Sequence, residues 1–290
     1  MTRVACIGEA MIELSTQGDT ANVGVAGDTL NTAIYLKRAA PDLDIDYVTC
    51  LGDDPFSQQV HDFIAGQNLG CGAITRIAGK SPGLYAITTT PDGERSFTYW
   101  RSAAAARDLF QTSGTPDFSS LAGYDIIYLS GITMAILPQT VRLALIDWLA
   151  QNPVRFAYDS NYRPRLWEDQ TTAQQITAAL WARADIALPS VDDEMALFDE
   201  TEGQVTSRVA GYPGTGALKR GEIGPMSLGD TVDQTYPAAA KVVDTTAAGD
   251  SFNGGYLGAI LQGKPQADAL RAGHDCAARV VQHRGAIIPE

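Results

Sequence analysis

The sequence predicts an α/β fold built on a mainly parallel sheet, and three observations carry that prediction. Short apolar runs at 4–7, 126–129, 156–158 and 186–188 read as buried strands. Longer amphipathic stretches at 29–39, 141–149 and 172–182 read as helices between them, the alternation that covers both faces of a parallel sheet. Small polar clusters, Gly8-Glu9, Ser130-Gly131 and Asp159-Ser160-Asn161, follow three of the strands. Open α/β sheets bind ligands beyond the carboxyl ends of their strands, so the site is expected there.

One segment breaks the rhythm. Residues 83–101 read as two alternating strands around the turn signal Pro91-Asp92-Gly93. Period two places Phe97, Tyr99 and Arg101 on one face of the second arm, and Tyr85 with Ile87 on one face of the first. An arginine in register with aromatics suggests a ligand-facing lid, although a solvated strand arginine fits the same pattern. The alanines at 103–106 read as helix-favouring filler. Between 200 and 228, Gly211, Gly214, Gly216, Gly221 and Gly224 interrupt any regular period, and no element is assigned. With no repeat, low-complexity tract or linker, residues 1–290 are expected to form a single domain.

At 290 residues, 45% hydrophobic and 19% charged, the chain has apolar material for one large core. A net charge of -13 lacks the basic footprint that nucleic-acid binding needs, so any anion must be bound locally. No apolar run is long enough for a membrane span, and Met1-Thr2-Arg3 leads straight into the first strand without a signal-peptide pattern, so a cytoplasmic protein is expected. Cys6, Cys50, Cys71 and Cys276 form no CxxC pair and read as reduced thiols; His61, His274 and His283 have no metal-ligand spacing. Gly79-Lys80-Ser81 imitates the end of a P-loop, but Ile74 stands where the motif requires glycine, and Lys80 reads as a solvated loop charge.

The most informative stretch is Asp244-Thr245-Thr246-Ala247-Ala248-Gly249-Asp250-Ser251-Phe252. Phe252, Tyr256, Leu257 and Ile260 lie on one helical face, so the small residues before them form a loop entering a helix. Free backbone amides at such an N-terminus bind anionic oxygens, and the helix dipole favours their charge. An aspartate cap after a small-residue turn accounts for the same residues equally well.

This segment resembles the C-terminal signature of the ribokinase-like (phosphofructokinase B-type) carbohydrate kinases, Asp-Thr-x-Gly/Ala-Ala-Gly-Asp followed by an aromatic. The resemblance continues through Ile7-Gly8-Glu9-Ala10-Met11-Ile12-Glu13-Leu14, Gly27-Asp28-Thr29-Leu30-Asn31-Thr32-Ala33, Leu51-Gly52-Asp53-Asp54-Pro55-Phe56-Ser57, Ser130-Gly131-Ile132, Asp159-Ser160-Asn161-Tyr162-Arg163-Pro164 and Arg284-Gly285-Ala286-Ile287-Ile288-Pro289. These segments are similar to the 2-keto-3-deoxygluconate kinase branch of the family and span nearly the whole chain.

The resemblance implies a three-layer αβα fold with a small β lid, formed from about 10–26 and 83–101. It implies Asp250 as the catalytic base, and Ala247, Ala248 and Gly249 as the anion hole. Gly27, Asp28, Asn31, Tyr85, Tyr99, Arg101 and Arg163 would contact the substrate. Asn161, Arg163, Ser190, Lys219, Gly221 and Gly224 would contact ATP, and Asp193 would act indirectly on Mg2+. Two arginines suit a carboxylate substrate, because guanidinium forms paired charge-assisted hydrogen bonds with it.

Two departures are visible: Gly214-Thr215-Gly216-Ala217-Leu218 replaces a β-branched strand, and Ser190-Val191-Asp192-Asp193 replaces Asn-x-x-Glu. The expected reaction is ATP-dependent phosphorylation of 2-keto-3-deoxygluconate at its terminal hydroxyl. 2-Keto-3-deoxygalactonate, fructose or ribose as substrate, or a silent sugar-binding sensor, are the rivals. The resemblance also implies a homo-oligomer assembled through the lid, where aromatics would otherwise face water.

Overall fold

The computed structural model describes residues 2–17, 20–89 and 95–289. Its elements in chain order are β1 (Arg3–Ile7), β2 (Met11–Gln17), β3 (Thr20–Ala26), α1 (Asp28–Ala39), β4 (Asp44–Leu51), α2 (Pro55–Gly66), β5 (Ile74–Arg76), β6 (Gly83–Thr89) and β7 (Arg95–Trp100). Then come β8 (Ile126–Ser130), α3 (Gly131–Ile136), α4 (Gln139–Gln151), β9 (Arg155–Asp159), α5 (Gln170–Arg183), β10 (Ile186–Ala187), α6 (Val191–Phe198), α7 (Glu202–Val209), β11 (Thr215–Leu218), β12 (Met226–Leu228), α8 (Ala248–Leu261) and α9 (Gln266–Val280).

Among the described residues, the main sheet has eight strands in the order β12-β11-β10-β9-β8-β1-β4-β5. Every pairing in it is parallel except β11 with β12. Strand alternation explains the layers. Val4 and Cys6 of β1, with Ile126 and Tyr128 of β8, belong to a core shared with α1, α2, α8 and α9. Ala5 and Ile7, with Ile127 and Leu129, belong to a second core shared with α4 and α5. Both faces of each central strand are therefore buried, which is why these strands read as continuous apolar runs.

Four strands form a separate sheet in the order β3-β2-β6-β7. It joins two antiparallel pairs through the parallel pairing of β2 with β6. Tyr85 pairs with Tyr99 and Ile87 with Phe97, so the aromatics share a face as their period requires. The turn expected at Pro91-Asp92-Gly93 lies outside the described residues.

The structure departs from the sequence expectations in three places. The alanine run gives only a 3-10 turn, Ala105–Asp108, and Ala104, Ala105 and Ala106 are buried there, so they serve close packing rather than helix propensity. The unassigned stretch holds α7, β11 and β12. β11 tolerates its glycine because a Cβ on Gly216 would stand 1.9 Å from the Ala187 carbonyl oxygen; the small residue lets β10 and β11 approach. Lys80 is not simply solvated but pairs with Asp108 at 2.8 Å.

Candidate active site

Polar and charged side chains collect at the carboxyl end of the main sheet, where β1, β8, β9, β10 and β11 deliver Glu9, Ser130, Asp159, Ser190 and Lys219. α8 packs between α1 and α9, so its N-terminus opens over this edge. Ala247 precedes α8 in the left-handed region at φ 59, a conformation that costs alanine about 1–2 kcal/mol. That kink turns the chain sharply into the helix. No side-chain hydrogen bond caps α8 at Ala247. Of the three amides expected to form the anion hole, that of Ala248 donates within the loop to the Thr245 carbonyl at 3.2 Å.

Asp250 lies in the first turn of α8 and keeps some open surface. Asn31 Nδ2 of α1 donates to its Oδ2 at 2.8 Å, and Thr32 Oγ1 donates to its carbonyl oxygen at 3.2 Å. Loss of hydration on the packed sides, then repulsion from Asp28, raises its pKa; Asn31 opposes the rise, Asp159 adds to it and Lys219 opposes it. A carboxylate held above its ordinary range is a stronger proton acceptor, which suits a general base.

Asp28 opens α1, directly after Gly27 at the N-cap. Its Oδ2 accepts from Asn161 Nδ2 at 2.9 Å and from the Ser130 hydroxyl. Its pKa is raised mainly by burial, against the hydrogen bond from Ser130. Asn161 adopts φ 29, a strained backbone that asparagine tolerates better than most residues, and its amide donates to Asp159 Oδ1 at 3.2 Å.

A second network lies beside the N-terminus of α8. Lys219 Nζ donates to Asp159 Oδ2 at 2.8 Å and to Asn253 Oδ1 at 3.2 Å, and Asn253 Nδ2 donates to the same Asp159 oxygen at 2.6 Å. A Cβ built on Gly249 would lie 3.7 Å from Lys219 Nζ, so the ammonium stands next to the α8 entry. The turn after Lys219 places Gly221 and Gly224 at positive φ, and Ser190 bridges Lys219 through backbone pairing.

Arg163 is exposed and pairs with Asp193 at 3.0 Å, so this arginine and the expected metal-linked carboxylate form one unit. Burial raises the pKa of Asp193, and Arg163 opposes that rise. Among the described residues, no group of three or more His, Cys, Asp or Glu side chains could hold a metal ion.

On the four-stranded sheet, Tyr85 is buried and donates to Glu13, while Tyr99 stacks on it at 5.7 Å between ring centroids. Tyr85 therefore does not contribute exposed aromatic surface; Phe97, Tyr99 and Trp100 do. Arg101, just past β7, pairs with Glu9. It stands close enough to Asp28 to favour that carboxylate's charge, so the edge of this sheet and the carboxyl end of β1 meet at one place.

Sequence reasoning placed Glu9 and Asp159 in polar clusters at the strand ends without giving either a role, and it missed Asn253. Asp159 had a signal, as the first polar residue after an apolar strand, and Asn253 lies three residues after Asp250 on the same helical side. Glu9 had only its place after the first strand.

Two curated relatives are both 2-dehydro-3-deoxygluconokinases, a synonym of the keto-deoxy name used above. That of Escherichia coli K12 is 41% identical, covering 99% of this chain and 97% of the relative. That of Dickeya dadantii is 43% identical, covering 99% and 96%. Among solved structures, the 2-dehydro-3-deoxygluconokinase of Thermotoga maritima superposes with a TM-score of 0.81 at 21% identity, covering 99% of this chain and 96% of that one. The ATP-bound fructokinase of Xylella fastidiosa gives a TM-score of 0.80 at 20% identity, covering 98% and 93%. The ribokinase-like fold is thus shared, and since the model of the pfkB family carbohydrate kinases matches residues 1–290, the chain belongs to that family.

Proposed function

We propose that this chain transfers the γ-phosphoryl group of ATP to the terminal hydroxyl of 2-keto-3-deoxygluconate, giving 2-keto-3-deoxy-6-phosphogluconate and ADP. The observation that carries the reading is Asp250, hydrogen-bonded by Asn31 at 2.8 Å in the first turn of the uncapped α8, where a base and an anion-binding helix end coincide. Full-length identity of about 40% to sugar-acid kinases supports the choice of substrate.

In this mechanism Asp28 and Asn31 hold sugar hydroxyls, while Arg101 and Arg163 bind the substrate carboxylate by charge-assisted hydrogen bonds. Asp250 accepts the terminal hydroxyl's proton as that oxygen forms its bond to the γ-phosphorus. The bond from that phosphorus to the β–γ bridging oxygen breaks, and ADP leaves. The α8 amides and Lys219 stabilise charge on the transferring group. Mg2+ bound to the phosphates would neutralise part of their charge, with Asp193 as the carboxylate nearest in role. Asn161, Ser190, Gly221 and Gly224 border the nucleotide. The four-stranded sheet acts as a lid that excludes water, and its exposed Phe97, Tyr99 and Trp100 favour assembly of copies through this sheet.

The test is a coupled assay of ADP release with 2-keto-3-deoxygluconate, 2-keto-3-deoxygalactonate, fructose and ribose. Turnover confined to the keto acids is expected. Preferred turnover of a neutral sugar would overturn the substrate, and silence on all four would overturn the kinase reading in favour of a sensor.

A further inference from the structure

The geometry points to Glu9 as a positioning residue that sets the preference for a sugar acid by holding the Arg101 guanidinium over the site. The inference rests on the sugar-acid reading above and adds to it a residue that does not itself touch the substrate carboxylate.

Three observations carry it. First, the Glu9–Arg101 pair is enclosed: the side chains are 1% and 10% exposed, respectively. A charged pair so enclosed is retained only if its geometry is good, and removing one partner leaves the other charge uncompensated. Second, the pair is half used. Glu9 engages Arg101 Nη2 through Oε2, whereas Glu9 Oε1 and Arg101 Nε are buried and have no hydrogen-bond partner. Buried polar atoms of this kind are rare unless a ligand or water completes them. A guanidinium anchored through one nitrogen and still carrying an unpaired N–H keeps a donor for an anion that enters this enclosed position.

Third, the surrounding backbone is shaped around Glu9. A Cβ on Gly83 would stand 2.3 Å from Glu9 Oε1 and 3.2 Å from Arg101 Cβ, so β6 leaves room for the carboxylate by carrying glycine there. A Cβ on Gly27 would stand 2.2 Å from the Glu9 carbonyl oxygen, so the residue before α1 closes on the same segment. Glu9 therefore lies where the main sheet, α1 and the lid meet, and it is the anion that fixes Arg101 to that junction. Without its charge, the guanidinium would leave this enclosed position for solvent, and the carboxylate contact would go with it.

The experiment uses the full-length protein with steady-state kinetics on 2-keto-3-deoxygluconate and ATP. Glu9→Gln keeps the size and removes the charge. It should raise KM for the sugar acid about tenfold or more, while kcat and KM for ATP stay within about threefold. Gly83→Ala should raise KM in the same way, because its methyl displaces Glu9 Oε1; it also serves if Glu9→Gln does not fold. A purely structural role is separated by a double-mutant cycle: in an Arg101→Met background, Glu9→Gln should have no further effect on KM. An unchanged KM in both Glu9→Gln and Gly83→Ala, or an equal effect with and without Arg101, would overturn the inference while leaving the kinase reading intact. A wild type that phosphorylates fructose but not the keto acid would overturn the substrate reading, and this inference with it.

Discussion

Asp250→Asn should abolish most turnover and yet stabilise the protein. The substitution keeps the size of the side chain, and the amide oxygen can still accept the hydrogen bond that Asn31 Nδ2 gives at 2.8 Å. What is lost is the proton acceptor, so kcat should fall by about 10²–10⁴, equivalent to about 3–5 kcal/mol of barrier. KM for sugar and nucleotide should change little. The stability change has the opposite sign. Burial and the charge of Asp28 raise the Asp250 pKa in the folded protein, so the folded state binds this proton more tightly than the unfolded chain. The resulting penalty is absent below the unfolded pKa of about 3.9, grows as pH rises and is complete above the raised folded pKa. Asparagine carries no such penalty. The variant should therefore melt above the wild type at about pH 9, with the gap closing towards about pH 4. In the wild type, kcat/KM should fall as pH drops through the raised pKa, because the protonated carboxyl accepts nothing. The assays are coupled ADP release and thermal melting across pH. Ordinary turnover with normal affinity would refute the base, and a variant less stable at high pH would refute the electrostatics.

Three other variants test neighbouring parts of the site. Lys219→Met removes the cation from Asp159, whose side chain is 3% exposed, and should cost about 3–5 kcal/mol in urea unfolding besides slowing phosphoryl transfer. Arg163→Met breaks a pair that is 52% exposed on the arginine side, so it should cost less than about 1 kcal/mol of stability while raising KM for the sugar acid. Ala247→Gly relieves about 1–2 kcal/mol of left-handed strain against about 0.4–1 kcal/mol of added unfolded-state freedom. Its melting temperature should rise slightly, with activity retained.

The local signals in the sequence were strong where one element carries the whole pattern. The buried parallel strands were legible because both of their faces are apolar, and the helices because their apolar residues recur at helical spacing. The loop into α8 was legible because small residues precede a helical face. The alanine run misled because propensity is a weak prior that packing overrides, as the buried 3-10 turn at Ala105–Asp108 shows. β11 was hidden because its Gly216 serves close approach to β10, a requirement set by a neighbour rather than by the segment itself.

By itself, then, the sequence determined the α/β class, the place of the candidate site beyond the strand ends and the helix N-terminus that carries Asp250. Only the tertiary structure decided the partners. Arg101 meets Glu9 across 92 residues, Asn161 meets Asp28 across 133, and Asn31 meets Asp250 across 219. Hydrophobic patterning says that a strand is buried on both faces but not which strand lies beside it. Strand order and helix packing therefore bring these groups together, and burial then raises the proton affinities of Glu9, Asp28 and Asp250.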